Sequence, residues 1–90
     1  MRFKYNFDKN ALLLKQRGIG FEEIIHLISA GCLLDIRKHH NQAQYPDQYI
    51  LYVRVIAEVY AVPALKEPNG DFFLKTVFPS RKARKKFLKS

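Results

Sequence analysis

The first half of the chain carries its apolar residues at helical spacing. Residues 9–17 form a helix-prone segment with an apolar side, which Asp8 would cap and Gly18 would end. A second run repeats at intervals of three to four residues and consists of Phe21, Ile24, Ile25 and Ile28. Gly31 would end this second helix. The pattern therefore predicts two short helices, preceded by residues 2–7 as a short strand or extended arm.

The second half alternates between apolar and polar positions, which is typical of β-strands. We predict strands at residues 32–36, 49–55, 58–65 and 72–78, with a polar loop at residues 37–47. In the second strand, one face carries Tyr49, Leu51, Val53 and Val55, and the other carries Ile50, Tyr52 and Arg54. Asn69-Gly70 predicts a type I′ turn before the last strand. Ile56-Ala57 is a poor turn pair, so the position of the preceding hairpin turn stays open.

These elements predict a single α+β domain over residues 1–90. Two short N-terminal helices are followed by an antiparallel meander of three to four strands and a basic C-terminal helix at residues 81–88, which Ser80 would cap. We expect the helices to cover one face of the sheet. The other face of an antiparallel sheet can meet solvent, and Tyr52, Arg54 and Lys75 would project there together.

The charge is concentrated at one end of the chain. Of 90 residues, 16 are Lys or Arg and 8 are Asp or Glu, for a formal net charge of +8. Six of these cations stand in the last ten residues: Arg81, Lys82, Arg84, Lys85, Lys86 and Lys89. The other eighty residues carry ten basic and eight acidic side chains, a net of +2. This balance leaves nucleic acid, an anionic membrane surface or an acidic protein as partners.

Other sequence features narrow the class of protein. Cys32 is the only cysteine, which excludes an internal disulfide framework and suits a reducing compartment. The first residues are polar and basic, so no signal peptide is predicted. Apolar runs fall short of the 18 or so residues of a membrane span. The neighbouring His39 and His40 lack the spacing of a zinc site, and no metal is predicted.

The start of the final helix is the first candidate site. Cations in a first helical turn, here Arg81 and Lys82, oppose the helix dipole, and a bound phosphate would reverse that balance. Ser80, Arg81 and the first backbone amides would then form an anion site. The alternative is a solvated basic tail with no specific partner. Lys75 would either face solvent or point into the same site.

The remaining candidates each have an ordinary structural explanation as well. Lys15 and Arg17 complement the dipole at the end of the first helix, or contribute to a site. His39 either transfers a proton near neutral pH or lies in a solvated loop. Tyr52 and the other strand tyrosines either stack on bases or pack in the core.

Two stretches of the chain resemble the BrnT-type toxins. The first is Phe7-Asp8-Lys9-Asn10 followed by Lys15-Gln16-Arg17-Gly18-Ile19-Gly20-Phe21-Glu22-Glu23, and the second is Lys75-Thr76-Val77-Phe78-Pro79-Ser80-Arg81-Lys82-Ala83. The resemblance implies a RelE/ParE-like fold and a bacterial type II toxin that arrests growth by cutting RNA without a metal or other cofactor. It also implies a cytoplasmic protein in a hetero-oligomer with a cognate antitoxin that carries a ribbon-helix-helix DNA-binding part.

The resemblance also implies site residues. Lys15 and Arg17 match the basic end of the first helix, Lys75 the basic position of the closing strand, Arg81 the signature arginine, and His39 a loop histidine. The chain departs from the family pattern at Pro79-Ser80, where a small residue is expected. It departs again at Arg84-Lys85-Lys86, where an acid is expected.

Cutting RNA at its own 2′-hydroxyl needs a base at that hydroxyl, cations on the non-bridging oxygens and an acid at the 5′-oxygen. The five matched residues are our expected catalytic set. The expected RNA- or phosphate-binding set is Ser80, Lys82, Arg84, Lys85, Arg54 and Tyr52. Two alternatives stay open: a non-catalytic nucleic-acid-binding or regulatory module, and a gyrase-directed poison of the ParE branch.

Overall fold

The computed structural model describes residues 1–88, in which three α-helices combine with a six-stranded mixed sheet. The elements are β1 (Phe3–Lys4), α1 (Phe7–Arg17), α2 (Phe21–Leu27), a π-helical turn (Ile28–Cys32), β2 (Leu33–Lys38), β3 (Gln48–Val55), β4 (Glu58–Lys66), β5 (Phe72–Leu74), β6 (Phe78–Pro79) and α3 (Arg81–Phe87). The predicted α+β class is confirmed. Lys89, part of the basic tail in the sequence prediction, lies outside the described residues.

The first helix begins earlier than its sequence pattern suggested. Asn6, and not Asp8, is the N-cap of α1, and its side-chain oxygen accepts a hydrogen bond from the Lys9 N–H at 3.0 Å. Asp8 instead lies in the first turn, where its charge suits the helix dipole. Gly18 ends α1 as predicted, because its φ of +73° is a conformation that glycine adopts without strain.

The sheet is larger than the predicted meander. Its order is β1-β5-β4-β3-β2, and β6 pairs with β4 beyond β5. β1 runs parallel to β5, whereas β2, β3, β4 and β5 form antiparallel neighbours. The edge strand β2 continues to Lys38, so Arg37 and Lys38 belong to the sheet and not to the predicted loop.

The closing strand is broken, which overturns its predicted face assignment. β5 and β6 are separated at residues 75–77, and both remain bonded to β4. Val77 was assigned to the face opposite Phe72 and Leu74. It is buried with both of them in the same core, since the break shifts the alternation.

Two turns also differ from expectation. The turn between β3 and β4 falls at Ile56-Ala57 despite its unfavourable residues. Before β5, the Gly70 N–H donates to the Glu67 carbonyl at 2.9 Å, and Gly70 has a φ of +89°. Asn69 is absent from the positive-φ residues in the described part of the chain, so this turn is not the predicted type I′.

The sheet is covered on both faces. One face forms the main core with α1 and α2, and its fully buried members include Leu13, Phe21, Ile24, Leu51, Val53 and Val62. The prediction of an open second face was wrong, because α3 packs there and brings Phe87 within 5.4 Å of Tyr52 between ring centroids. This second layer buries Val59, Ala61 and Ala83.

Candidate nucleic-acid interface

A cleft of about 270 Å³ lies between α3 and the outer strands of the sheet. We call it the α3 cleft, and it is lined by Arg37, Tyr52, Ser80, Lys82, Ala83, Lys86 and Phe87. Ser80 positions the helix, because its Oγ accepts a hydrogen bond from the Ala83 N–H at 3.2 Å, as the predicted N-cap. The small side chain of Ala83 is buried and lets the helix approach the sheet closely.

Helical spacing sorts the cations of α3 into three directions. Ala83 and Phe87, four residues apart, face the sheet. Lys82 and Lys86 are also four apart and line the cleft. Arg84 points the other way, and its guanidinium lies 3.7 Å from a Glu58 carboxylate oxygen. The basic tail is therefore a helix with one face set against the sheet and a pair of lysines beside the aromatic rings.

The centre of the α3 cleft is aromatic and flanked by positive charge. The guanidinium carbon of Arg37 lies 5.8 Å from the centroid of the Phe87 ring. The ammonium of Lys86 lies 5.8 Å from the same centroid. Both distances are within cation–π range. Together with Tyr52, these groups combine flat apolar surface with cations in one place.

Asp35 orients the arginine of the cleft. Its Oδ2 accepts a hydrogen bond from Arg37 Nε at 2.7 Å, and its Oδ1 accepts one from the Ile36 N–H at 2.8 Å. The bond from Arg37 is the main reason that the pKa of Asp35 is lowered; desolvation opposes it, while the Ile36 bond and the charge of Lys86 add to it. Asp35 is thus a carboxylate whose role is to hold a cation.

Three of the predicted binding residues line the α3 cleft: Tyr52, Ser80 and Lys82. Arg81 and Lys85 are exposed on α3 and are not among its lining residues. Arg54 lies near the β3–β4 turn, where its Nε donates to the Ile56 carbonyl at 3.0 Å. Within the described residues, the predicted binding set is therefore only partly gathered.

The predicted catalytic residues are dispersed over the described part of the chain. Lys15 and Arg17 are exposed at the end of α1, which packs on the face of the sheet opposite α3. Lys75 is exposed, with its ammonium 5.5 Å from the Phe73 ring centroid. Its backbone bonds to Pro63 and that of Ser80 to Val59, four residues away along β4. That separation corresponds to roughly 13 Å of strand.

His39 follows β2, where its backbone N–H donates to the Gln48 carbonyl at 2.8 Å. Its Nδ1 accepts a hydrogen bond from the Asn41 N–H at 3.0 Å, so a neutral ring carries its proton on Nε2. The ring stacks on His40 at 4.4 Å and lies 4.6 Å from Tyr45, centroid to centroid. The predicted solvated loop is therefore packed around its own rings.

Sequence reasoning missed the residues that complete the cleft. Arg37 and its partner Asp35 were divided between a strand and a loop, although their spacing of two places them on one face of a continuous strand. Lys86 and Phe87 were treated as part of a general charge run. Their spacing of four from Lys82 and Ala83 was the available signal.

Comparison with protein-family models, with curated proteins and with solved structures finds no match to this chain. The fold and the site define a small α+β protein with a basic and aromatic cleft on one face of its sheet. In residues 1–88, no helix is long and apolar enough to cross a membrane. The same residues contain no cluster of three or more His, Cys, Asp or Glu side chains placed to hold a metal ion.

Proposed function

We propose that this protein binds RNA in the α3 cleft and acts as a BrnT-type toxin of the RelE/ParE-like class. In this proposal it cuts RNA without a metal in the bacterial cytoplasm, arrests translation and growth, and is neutralised by a cognate antitoxin with a ribbon-helix-helix part. The observation that carries the proposal is the meeting of Arg37 and Lys86 on the ring of Phe87, beside Tyr52.

Such a constellation suits a single RNA strand. Cations bind the phosphates, and aromatic rings stack on exposed bases, each stacked base contributing about 1–3 kcal/mol. Arg37 is held by Asp35 at 2.7 Å, so its guanidinium loses less conformational freedom on binding. The low acidity of the surroundings favours a polyanion as well, since the chain carries a net charge of +8.

The order of elements supports the toxin class. Two helices precede the antiparallel strands, and a basic helix follows them, which is the arrangement that the resemblance to BrnT-type toxins implies. The proposed arrangement places the RNA on the sheet face that α3 partly covers.

The proposed cleavage is an attack of the ribose 2′-oxygen on its own phosphorus. The bond to the 5′-oxygen breaks, a 2′,3′-cyclic phosphate forms, and a proton passes from the 2′-hydroxyl to a base and from an acid to the 5′-oxygen. Arg37, Lys82 and Lys86 would stabilise the charge on the non-bridging oxygens. Arg81 at the start of α3 and His39 beyond β2 supply further polar groups.

A second function is favoured by the dispersal of the expected catalytic residues. Lys15 and Arg17 lie on the far side of the sheet from α3, and Lys75 lies roughly 13 Å along β4 from Ser80. A non-catalytic RNA-binding module needs only the α3 cleft and none of these residues. Both functions share the binding surface and differ in whether the RNA is cut.

Binding is tested with a fluorescent single-stranded RNA at several salt concentrations. The double variant Arg37→Ala/Lys86→Ala removes two cations of the α3 cleft, and Lys15→Ala/Arg17→Ala removes the same two residue types from α1. We expect the cleft variant to flatten the salt dependence by about 1.4 in log–log slope, or 0.7 for each phosphate contact, while the α1 variant retains the parent slope. Equal effects of the two variants would reject the cleft as the binding site.

Cleavage is tested with the same RNA in the presence of EDTA. Products ending in a cyclic phosphate, absent with the cleft variant, are expected for the ribonuclease. Binding with intact RNA would favour the module. Expression of the protein alone and together with a neighbouring acidic protein, with growth and RNA integrity as readouts, tests the toxin and its antitoxin.

A further inference from the structure

The tip of the β3–β4 hairpin carries an aliphatic side chain in an unfavourable position. Ile56 is 89% exposed and has a φ of +58°. β-Branched residues rarely adopt this left-handed region, because Cβ crowds the following carbonyl. Val55 and Glu58 pair directly, so Ile56 is the first residue of a two-residue loop, where a positive φ usually belongs to glycine. Neither the backbone nor the solvation of Ile56 helps the fold.

Positive charge lies on both sides of this tip. The Nε of Arg54 donates to the carbonyl of Ile56 at 3.0 Å, which holds the strained residue in place. Across the hairpin, Glu58 lies 3.7 Å from the guanidinium of Arg84. Ile56 is therefore an apolar point fixed between two arginines.

The tip is connected to the α3 cleft along β3. Arg54 and Tyr52 are two residues apart on the same strand, so both point to the face that α3 covers. Tyr52 and Ile56 are four residues apart, or roughly 13 Å along the strand. A strand of RNA that leaves the cleft toward the tip would meet Arg54 and Arg84 before it reached Ile56.

We propose that Ile56 is a wedge that inserts between two neighbouring bases of the RNA bound in the α3 cleft. This inference rests on the proposed function, and it names the substrate as RNA with a junction between a stem and a single strand. Apolar side chains open base steps when adjacent cations hold the flanking phosphates. A junction is the cheapest step to open, because its outer base has lost part of its pairing and stacking.

The chemistry around the tip favours RNA over an acidic protein with an apolar socket. The arginines at the tip continue the cations of the α3 cleft, so one extended polyanion can engage both places. Backbone strain at Ile56 keeps the side chain projected before the RNA arrives, which reduces the ordering needed on binding.

The test uses an RNA hairpin with a single-stranded 3′ extension and 2-aminopurine at the junction, whose fluorescence rises when it unstacks. Ile56→Asn removes the apolar wedge and relieves the strain, since asparagine tolerates a positive φ. Leu14→Asn is the matched control, because Leu14 is 51% exposed on α1, away from the cleft. Binding is measured separately through a dye at the far end of the stem.

We expect the parent protein and Leu14→Asn to raise the 2-aminopurine fluorescence at saturation. Ile56→Asn should bind the hairpin, lose most of that rise and melt at a higher temperature than the parent. The wedge is overturned if Ile56→Asn unstacks the junction as the parent does, if the parent binds without unstacking it, or if Ile56→Asn melts lower. Failure of the parent to bind the hairpin at all would instead overturn the proposed function.

Discussion

The side-chain oxygen of Asn10 accepts a hydrogen bond from the backbone N–H of Phe21 at 2.7 Å. Asn10 lies in the middle of α1, whereas Phe21 is the first residue of α2. The N-cap of α2 is Gly20, which has no side chain with which to cap the helix. Asn10 thus caps α2 from a neighbouring helix, and this bond fixes how Phe21 enters the core.

Replacing Asn10 by alanine should lower the free energy of unfolding by about 1–3 kcal/mol, because the buried N–H of Phe21 would lose its acceptor. Urea denaturation measures the loss. Asn6→Ala is the natural comparison, since it removes an exposed cap of α1 and should cost about 1 kcal/mol. A smaller loss for Asn10→Ala than for Asn6→Ala would contradict the tertiary cap.

Replacing Gly20 by alanine should also destabilise the protein, by about 1–3 kcal/mol. A Cβ at Gly20 would come 2.4 Å from Asn10 Oδ1 and 3.0 Å from Leu14 Cγ. The cause is steric and not conformational, because the φ of Gly20 is −121°. In the Asn10→Ala background the penalty should shrink, since one of the two obstacles is gone.

Gly18→Ala provides the control for that cycle. A Cβ at Gly18 meets nothing within 4 Å, but its φ of +73° strains any other residue. Its cost should therefore be the same with and without Asn10. Equal coupling of both glycines to Asn10 in denaturation experiments would refute the proposed clash.

Removing the cap of α3 should separate the helix from the sheet. Ser80→Ala should lower the free energy of unfolding by about 0.5–2 kcal/mol, because the N–H of Ala83 loses its partner. RNA binding should weaken as well, since Lys82 and Lys86 are presented by this helix. Ser80→Thr retains the capping oxygen and should retain most of both properties in calorimetry and binding titrations.

Asp35 should make stability depend on pH in the acidic range. Its pKa is lowered in the folded protein, chiefly by the hydrogen bond from Arg37. The folded state therefore binds fewer protons than the unfolded chain, and the stabilisation is fully present above about pH 4 and is lost as the pH falls through the folded pKa. Asp35→Asn should melt lower than the parent at neutral pH and converge with it in acid.

Thermal melts of both proteins from about pH 7 down to about pH 2 measure this difference. Arg37→Gln should show the same convergence, because it removes the other half of the pair. A constant gap between the parent and Asp35→Asn across that range would show that the Asp35–Arg37 pair contributes no charge-dependent stability.

Local signals in the sequence predicted much of the fold. Gly18 ends α1, Ser80 caps α3, and the alternation along β3 places Leu51 and Val53 in the core, all as expected. Such features depend on residues within one turn or one strand of each other. The error at Asp8 has the same local scale, because Asn6 offers an equivalent oxygen two residues earlier.

Other features arise only from contacts between distant segments. The parallel pairing of Phe3 with Phe72 joins the two ends of the chain, and no local pattern encodes it. The break between β5 and β6 follows from how Val77 fills the core, which overrides strict alternation. The expected catalytic set failed to gather for the same reason, since α1 and α3 lie on opposite faces of the sheet.

By itself, the sequence determined the class of the fold, the ends of its helices and the basic character of its last helix. Charge and capping act over a few residues and can be read directly. Only the tertiary structure decided that α3 covers the second face of the sheet, where it meets Arg37 and Tyr52. That choice depends on which apolar surfaces can be buried together, and burial is a property of the whole chain.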